Sequence, residues 1–224
     1  MTTLTLAEEL ALLSYTVEGT AEVGQPGLDY GLAGALLLEL TLAERIDVVD
    51  GRVVLTDPTR TGHPLLDRAL DQIGGEAKRR KPKDWINRLG KGLRDQVLDH
   101  LVAMGILHVE KDRVLGLFPR TRFPSPHGMD PAAETEARQR LAAAIRPGAT
   151  VPPRTGALCS LVRAVGLDRK VFRDQPRREV RARLKEISEG DWASAAVKRA
   201  IDDTQAAMIA VITAATVSTS AASN

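Results

Sequence analysis

Residues Leu28–Ile46 read LDYGLAGALLLELTLAERI, and the distribution of apolar residues in this stretch decides the fold. Apolar side chains fall on nearly every face of the helix it predicts, not along a single stripe. A helix without a polar face cannot lie on the surface of a soluble domain, so it belongs in the middle of a core with other elements wrapped around it. Gly31 and Gly34 of its GLAG fit close helix packing, since they stand inside an apolar helix and not in a dinucleotide-binding turn.

The flanking sequence supplies elements to do the wrapping. Upstream, TLAE at Thr5–Glu8 sets a Thr three residues before a Glu, a capping-box pattern for a helix in which Leu6, Leu10 and Leu13 recur at helical spacing. Downstream, IDVVDGRVVLTD places two β-branched runs around Asp50-Gly51, which predicts a tight hairpin. HPLLDRALDQIGG predicts a helix stopped at Gly74-Gly75, Pro82 should break or start a helix just before DWINRL, and LRDQVLDHLVAMG a further helix with Gly105 beyond its end. ILHVEKDRVLGLF predicts a second hairpin turning around Glu110, Lys111 and Asp112. RTRFPSPHGMDP predicts a Pro-rich internal linker near 119–131, and everything beyond Asp130 reads as helical. The fold class expected is mainly α: a single helical domain over 1–224, around a buried C-terminal helix, with two short β-hairpins.

Composition agrees. The 224 residues are 43% hydrophobic but only 3% aromatic, so Leu, Val, Ile and Ala must fill the core, as in helix-on-helix packing. The single cysteine, Cys159, excludes an internal disulfide and sits among apolar neighbours, which makes it a buried small hydrophobe. The opening MTTLTLAEELALLSY lacks a basic leader, and Glu8 and Glu9 interrupt its apolar run, which argues against a signal peptide. The aliphatic part of AAMIAVITAATVSTSAA near the end is too short to span a bilayer of ~30 Å. A cytoplasmic protein, attached to a membrane only from outside, is expected.

Catalysis finds no foothold. The four histidines, His63, His100, His108 and His127, show no metal-ligand spacing, so no metal and no cofactor is expected. The adjacent Glu8 and Glu9 point in different directions on a helix and make poor catalytic partners.

Charge carries the functional signal. The net charge is only +2, yet KRRKPKDWINRLGKGLR at Lys78–Arg94 holds eight cations against Asp84 alone. Lys81, Lys83, Arg88, Lys91 and Arg94 are the candidate phosphate-binding residues, with Arg88, Lys91 and Arg94 spaced by three to share a helical face. Gly90 and Gly92 predict a turn that leaves Arg94 beside the free N–H groups of the next helix, a natural phosphate pocket. Trp85, flanked by cations, suits a headgroup boundary or, equally, a core. In the second basic region, Arg163–Lys185, interleaved Asp and Glu residues predict pairing within the helix. The apolar flanks of the second hairpin, Ile106, Val109, Val114 and Leu115, could complete a neighbouring subunit or press into a bilayer surface.

The order LTLAEELALL, GLAGALLLEL with a short hairpin, HPLLDRAL, DWINRL and LRDQVLDHLVAMGIL with HVEKDRVLGLF resembles the Golgi phosphoprotein 3-like family, and the compact, Ala/Arg-rich chain a bacterial member of it. The resemblance implies a non-enzymatic peripheral membrane protein that binds phosphatidylinositol 4-phosphate and forms a homo-oligomer through the 106–118 hairpin. Eukaryotic members retain glycosyltransferases in the Golgi, so further protein partners are unknown here. The family's phosphate-binding arginine pair falls on Lys91 and Arg94. Its arginine inside GLRG falls on Ala33, and its headgroup tryptophan near Gly24, where only Tyr30 is aromatic. A winged-helix-like module binding nucleic acid, or a self-assembling scaffold without an anion site, are the competing expectations.

Overall fold

Thr5 starts the first helix as its pattern predicts. Its hydroxyl accepts the Glu8 N–H at 3.3 Å while the Glu8 carboxylate takes the Thr5 N–H at 2.7 Å, closing a capping box on α1 (Leu6–Leu13). The computed structural model describes residues 4–24, 27–114, 118–189 and 195–221. After α1 come α2 (Gly27–Leu42), β1 (Ile46–Val49), β2 (Arg52–Leu55), α3 (Pro64–Gly74), α4 (Pro82–Leu89) and α5 (Leu93–Ala103). Then follow β3 (Glu110–Val114), β4 (Phe118–Arg122), α6 (Ala132–Ala144), α7 (Pro153–Ala164), α8 (Asp168–Val171), α9 (Arg177–Glu189) and α10 (Ala195–Ala221). Proline at the first turn begins α3, α4 and α7, where its missing N–H costs no hydrogen bond.

α2 is the hub. Leu28, Leu32, Leu36, Leu37, Leu38 and Leu40 are all buried although they point in different directions, because α1, α3, α4, α5, α7 and α10 pack around it. The two glycines make this possible. A Cβ on Gly31 would lie 2.4 Å from Val165 Cγ1, and one on Gly34 2.7 Å from Met208 Sδ. Close helix packing is therefore what the GLAG sequence serves.

The first hairpin pairs Ile46 with Leu55 and Val49 with Arg52. Asp50 and Gly51 take φ of 51° and 68°, the left-handed pair that a two-residue turn matched to strand twist requires.

The second hairpin differs from expectation. Val114 pairs with Phe118 and Glu110 with Arg122, so Glu110, Lys111 and Asp112 belong to β3 and do not form the turn. Ladder pairing with PRTR, including the Glu110–Arg122 ion pair at 3.2 Å, outweighs the turn tendency of three consecutive charges. Val114 ends β3, and Leu115 lies outside the described residues.

The Pro-rich segment also differs from a free linker. Its first residues form β4, and its continuation is tied down by Phe123 N–H to Gly19 O, Ser125 N–H to Val17 O and His108 N–H to Pro124 O.

The terminal helix α10 runs along α2 and α4. Ile201, Thr204, Met208 and Val211 face inward, while Ile209 on the opposite side is 51% exposed. Over residues 201–215 its burial is thus one-sided, and α2 holds the centre. Among the described residues no helix is long and apolar enough to cross a membrane. Cys159 is buried in α7, and burial pushes its thiol up to about 12, well outside the reactive range.

Gly31→Val should lower stability by about 1–3 kcal/mol through overpacking against Val165. The measurement is a urea transition, with the midpoint falling at unchanged slope.

Candidate functional site

The basic segment is held by its backbone and presents its side chains outward. Arg80 O accepts the Val53 N–H at 2.8 Å and Arg79 O accepts Arg52 Nη1 at 2.8 Å, which lays the chain beside β2. Lys78, Arg79, Lys81 and Lys83 are exposed, and no carboxylate pairs with them among the described residues. Two cations of the run are taken up internally. Glu76 accepts Arg80 Nε at 3.0 Å and Arg88 Nη1 at 2.6 Å, and these hydrogen bonds hold its carboxyl below the usual range.

Trp85 is 1% exposed. It sits in the core under α4, so its ring is not on the surface that a headgroup would reach. Arg88 covers it from outside, with its guanidinium carbon 5.5 Å from the ring centroid, a cation–π contact. The amphipathic period of PKDWINRL explains both facts, since Pro82, Trp85, Ile86 and Leu89 are the buried face of α4.

The structure separates Lys91 from Arg94. α5 begins at Leu93 behind the left-handed Gly92, which puts Arg94 in the first turn as expected. There Arg94 is half-buried and meets carboxylates of the chain itself. Its Nη2 lies 3.3 Å from Asp95 Oδ1. The Asp29 carboxyl, raised by burial, is drawn back by the charge and the backbone N–H of Arg94. The helix start expected to be open to phosphate thus faces an internal carboxylate. Ala33, at the position of the family's third arginine, is fully buried.

Lys91 is exposed and lines a groove of about 260 Å³ with Arg68 of α3 and Arg88 of α4. Leu36, Leu65 and Leu89 form its floor, Gln72 and Gln96 complete its rim, and no carboxylate lines it. Arg68 Nη1 donates to Gln96 Oε1 at 2.5 Å, bridging α3 to α5 across one end. Arg68 was invisible as a site residue because it is a lone cation in HPLLDRAL, far from the basic run in sequence. A larger cleft of about 820 Å³ lies between the α1–α2 loop, α6 and α8. Its charges are of mixed sign, and Lys170 is paired with Glu22 at 2.6 Å, so it makes a poor anion site. In the second basic region, Arg183–Glu186 at 2.7 Å pairs within α9 and Arg181–Asp168 at 3.4 Å between helices. The hairpin residues lie apart from the groove: Ile106 is half-buried beyond α5, and Val109, ahead of β3, is 43% exposed.

The position of Trp85 predicts a spectroscopic result. In a Trp192→Phe variant, where Trp85 is the sole indole, fluorescence should be blue-shifted, and acrylamide should quench it weakly whether or not anionic vesicles are present.

A central apolar helix, a tight Asp-Gly hairpin, a cationic α4–α5 junction and a second hairpin follow one another along the chain. The model of the Golgi phosphoprotein 3 (GPP34) family matches residues 6–204, and the chain belongs to that family.

Proposed function

We propose that the protein is a non-enzymatic, cytoplasmic peripheral membrane protein that binds anionic phospholipid, with phosphatidylinositol 4-phosphate or a related phosphoinositide as the preferred headgroup. The observation that carries this is the groove in which Arg68, Arg88 and Lys91 surround an apolar floor with no carboxylate among its lining residues. A phosphomonoester can be gripped there by two guanidinium forks and an ammonium. The exposed Lys78, Arg79, Lys81 and Lys83 flank the groove in sequence and supply a less selective attraction. At about 1 kcal/mol per basic residue near an anionic leaflet, such a patch holds a protein at the surface before any headgroup is selected. Arg94 supports the α5 turn from Asp29 and Asp95 and is a secondary contributor. The β3–β4 hairpin, together with Ile106 and Val109 ahead of it, Val114 at the end of β3 and Leu115 next in sequence, is assigned to self-association at the membrane. It pairs with itself and packs extensively on no helix among the described residues.

The test is co-sedimentation with phosphatidylcholine vesicles containing phosphatidylinositol 4-phosphate, phosphatidylserine or neither. Binding should require an anionic lipid. Lys91→Glu combined with Arg68→Glu should weaken it about a hundredfold or more, while Arg94→Glu should have the smaller effect. A double variant that sediments like wild type would remove the groove from the proposal. A steeply salt-dependent shift of duplex DNA without vesicle binding would turn the cations over to nucleic acid.

A further inference from the structure

Glu8, His63 and His100 come from three different elements: the first turn of α1, the residue that caps α3, and the body of α5. The fold brings one ligand atom of each within 4.8 Å of the others. Glu8 Oε1 lies 3.2 Å from His63 Nε2 and 2.5 Å from His100 Nδ1, and the two imidazoles meet edge to face with centroids 4.9 Å apart. We infer that this trio is a binding site for a divalent transition-metal ion of the zinc class, with a water or an exogenous ligand completing its coordination.

Four observations support it. The donor set of two imidazoles and one carboxylate is what open zinc sites use. The carboxylate is oriented from behind: its other oxygen accepts the Thr5 N–H at 2.7 Å and the Thr5 hydroxyl at 2.9 Å, leaving Oε1 turned to the histidines, as outer hydrogen bonds orient a metal ligand. The site has a closed floor and an open mouth. The Glu8 side chain is fully buried, whereas those of His63 and His100 are 13% and 24% exposed, which gives an ion a way in and a water a place.

The fourth is a contrast with the next residue. Glu9, also buried, is met by Arg140 at 2.7 Å and Arg154 at 2.8 Å. Glu8 is met by no Lys or Arg among the described residues, only by imidazoles, which ligate metal when neutral. Metal–ligand bonds of about 2.0–2.2 Å in a tetrahedron place donors roughly 3.3 Å apart. The Glu8–His63 separation already has that length, the Glu8–His100 pair has to open by less than about 1 Å, and the two imidazole donors stand within 4.8 Å of each other. His63 Nδ1 is buried without a partner, so this ring lacks the outer acceptor that tightens many zinc sites by about 10–100-fold. An exchangeable ion is therefore expected, not a permanently held one.

The test uses the full, untagged chain, stripped with chelator and then titrated with Co²⁺ and Zn²⁺. Wild type should take up one equivalent, show a Co²⁺ visible absorption band that Zn²⁺ abolishes, and melt at a higher temperature with Zn²⁺. His63→Gln and His100→Gln, verified as folded by circular dichroism, should each lose the band and the thermal shift. His108→Gln, which alters an exposed histidine elsewhere, should keep both. The inference is overturned if wild type binds no stoichiometric ion, or if the His63 and His100 variants bind as wild type does.

Discussion

Laying α1 flat against the largely apolar α2 takes two adjacent carboxylates, Glu8 and Glu9, out of water, and much of the structure follows from how they are compensated. An unpaired buried charge costs several kcal/mol, so each must find partners from distant parts of the chain. Glu9 finds Arg154, which also donates to Glu39 Oε1 at 3.1 Å and to Leu4 O at 2.5 Å. One guanidinium thereby joins the start of α1, the end of α2 and the start of α7, and Arg140 adds α6. Glu8 finds Thr5 and two histidines. Burial alone would raise its pKa, but hydrogen bonds from His63, the Thr5 backbone and His100 outweigh that and hold the carboxyl down at about 2. The helices that enclose α2 are thus oriented by polar contacts at its ends as well as by apolar packing along its length.

The same economy shapes the outer charge. With the acids of α1 drawn inside and Asp29 and Asp95 engaged by Arg94, the side of the molecule carrying α3, α4 and the segment beside β2 is left with cations in excess. Glu76 trims Arg80 and Arg88, yet Arg88 keeps about half its side chain in solvent and still borders the groove. The Glu76 carboxylate is largely buried, so an incoming phosphate would share Arg88 with it and meet the outer half of the side chain. Arg94, with only 26% of its side chain in solvent, is less free to respond.

What the sequence made legible was local. The capping box at Thr5 and Glu8, the Asp-Gly turn, the GLAG close approach and the helix start at Pro82 each depend on residues within a few positions, and the structure contains them all. The β3–β4 register was illegible because EKD reads as a turn until the partner strand is known, and pairing is a long-range choice. Trp85 stood among cations in the sequence, but on α4 its position falls with Ile86 and Leu89 on the inner face. Arg68 and the Glu8–His63–His100 trio could not be found by spacing, since 55 and 92 residues separate Glu8 from its histidines. Only the wrapping of α3 and α5 around α2 and α1 makes them neighbours.

That wrapping also places the groove and the histidine trio on one seam. Arg68 reaches Gln96 and His63 reaches His100, so the numbering rises along α3 as it falls along α5, and the two helices run antiparallel where they meet. The two rungs stand roughly 6–8 Å apart at 1.5 Å of rise per residue. α3 and α5 each pack on α2 but make no extensive backbone approach to each other. α2 positions both helices, and these two side-chain rungs span the gap between them. Whatever draws His63 and His100 together acts on the same pair of helices that carries Arg68 and Gln96, one to two turns away.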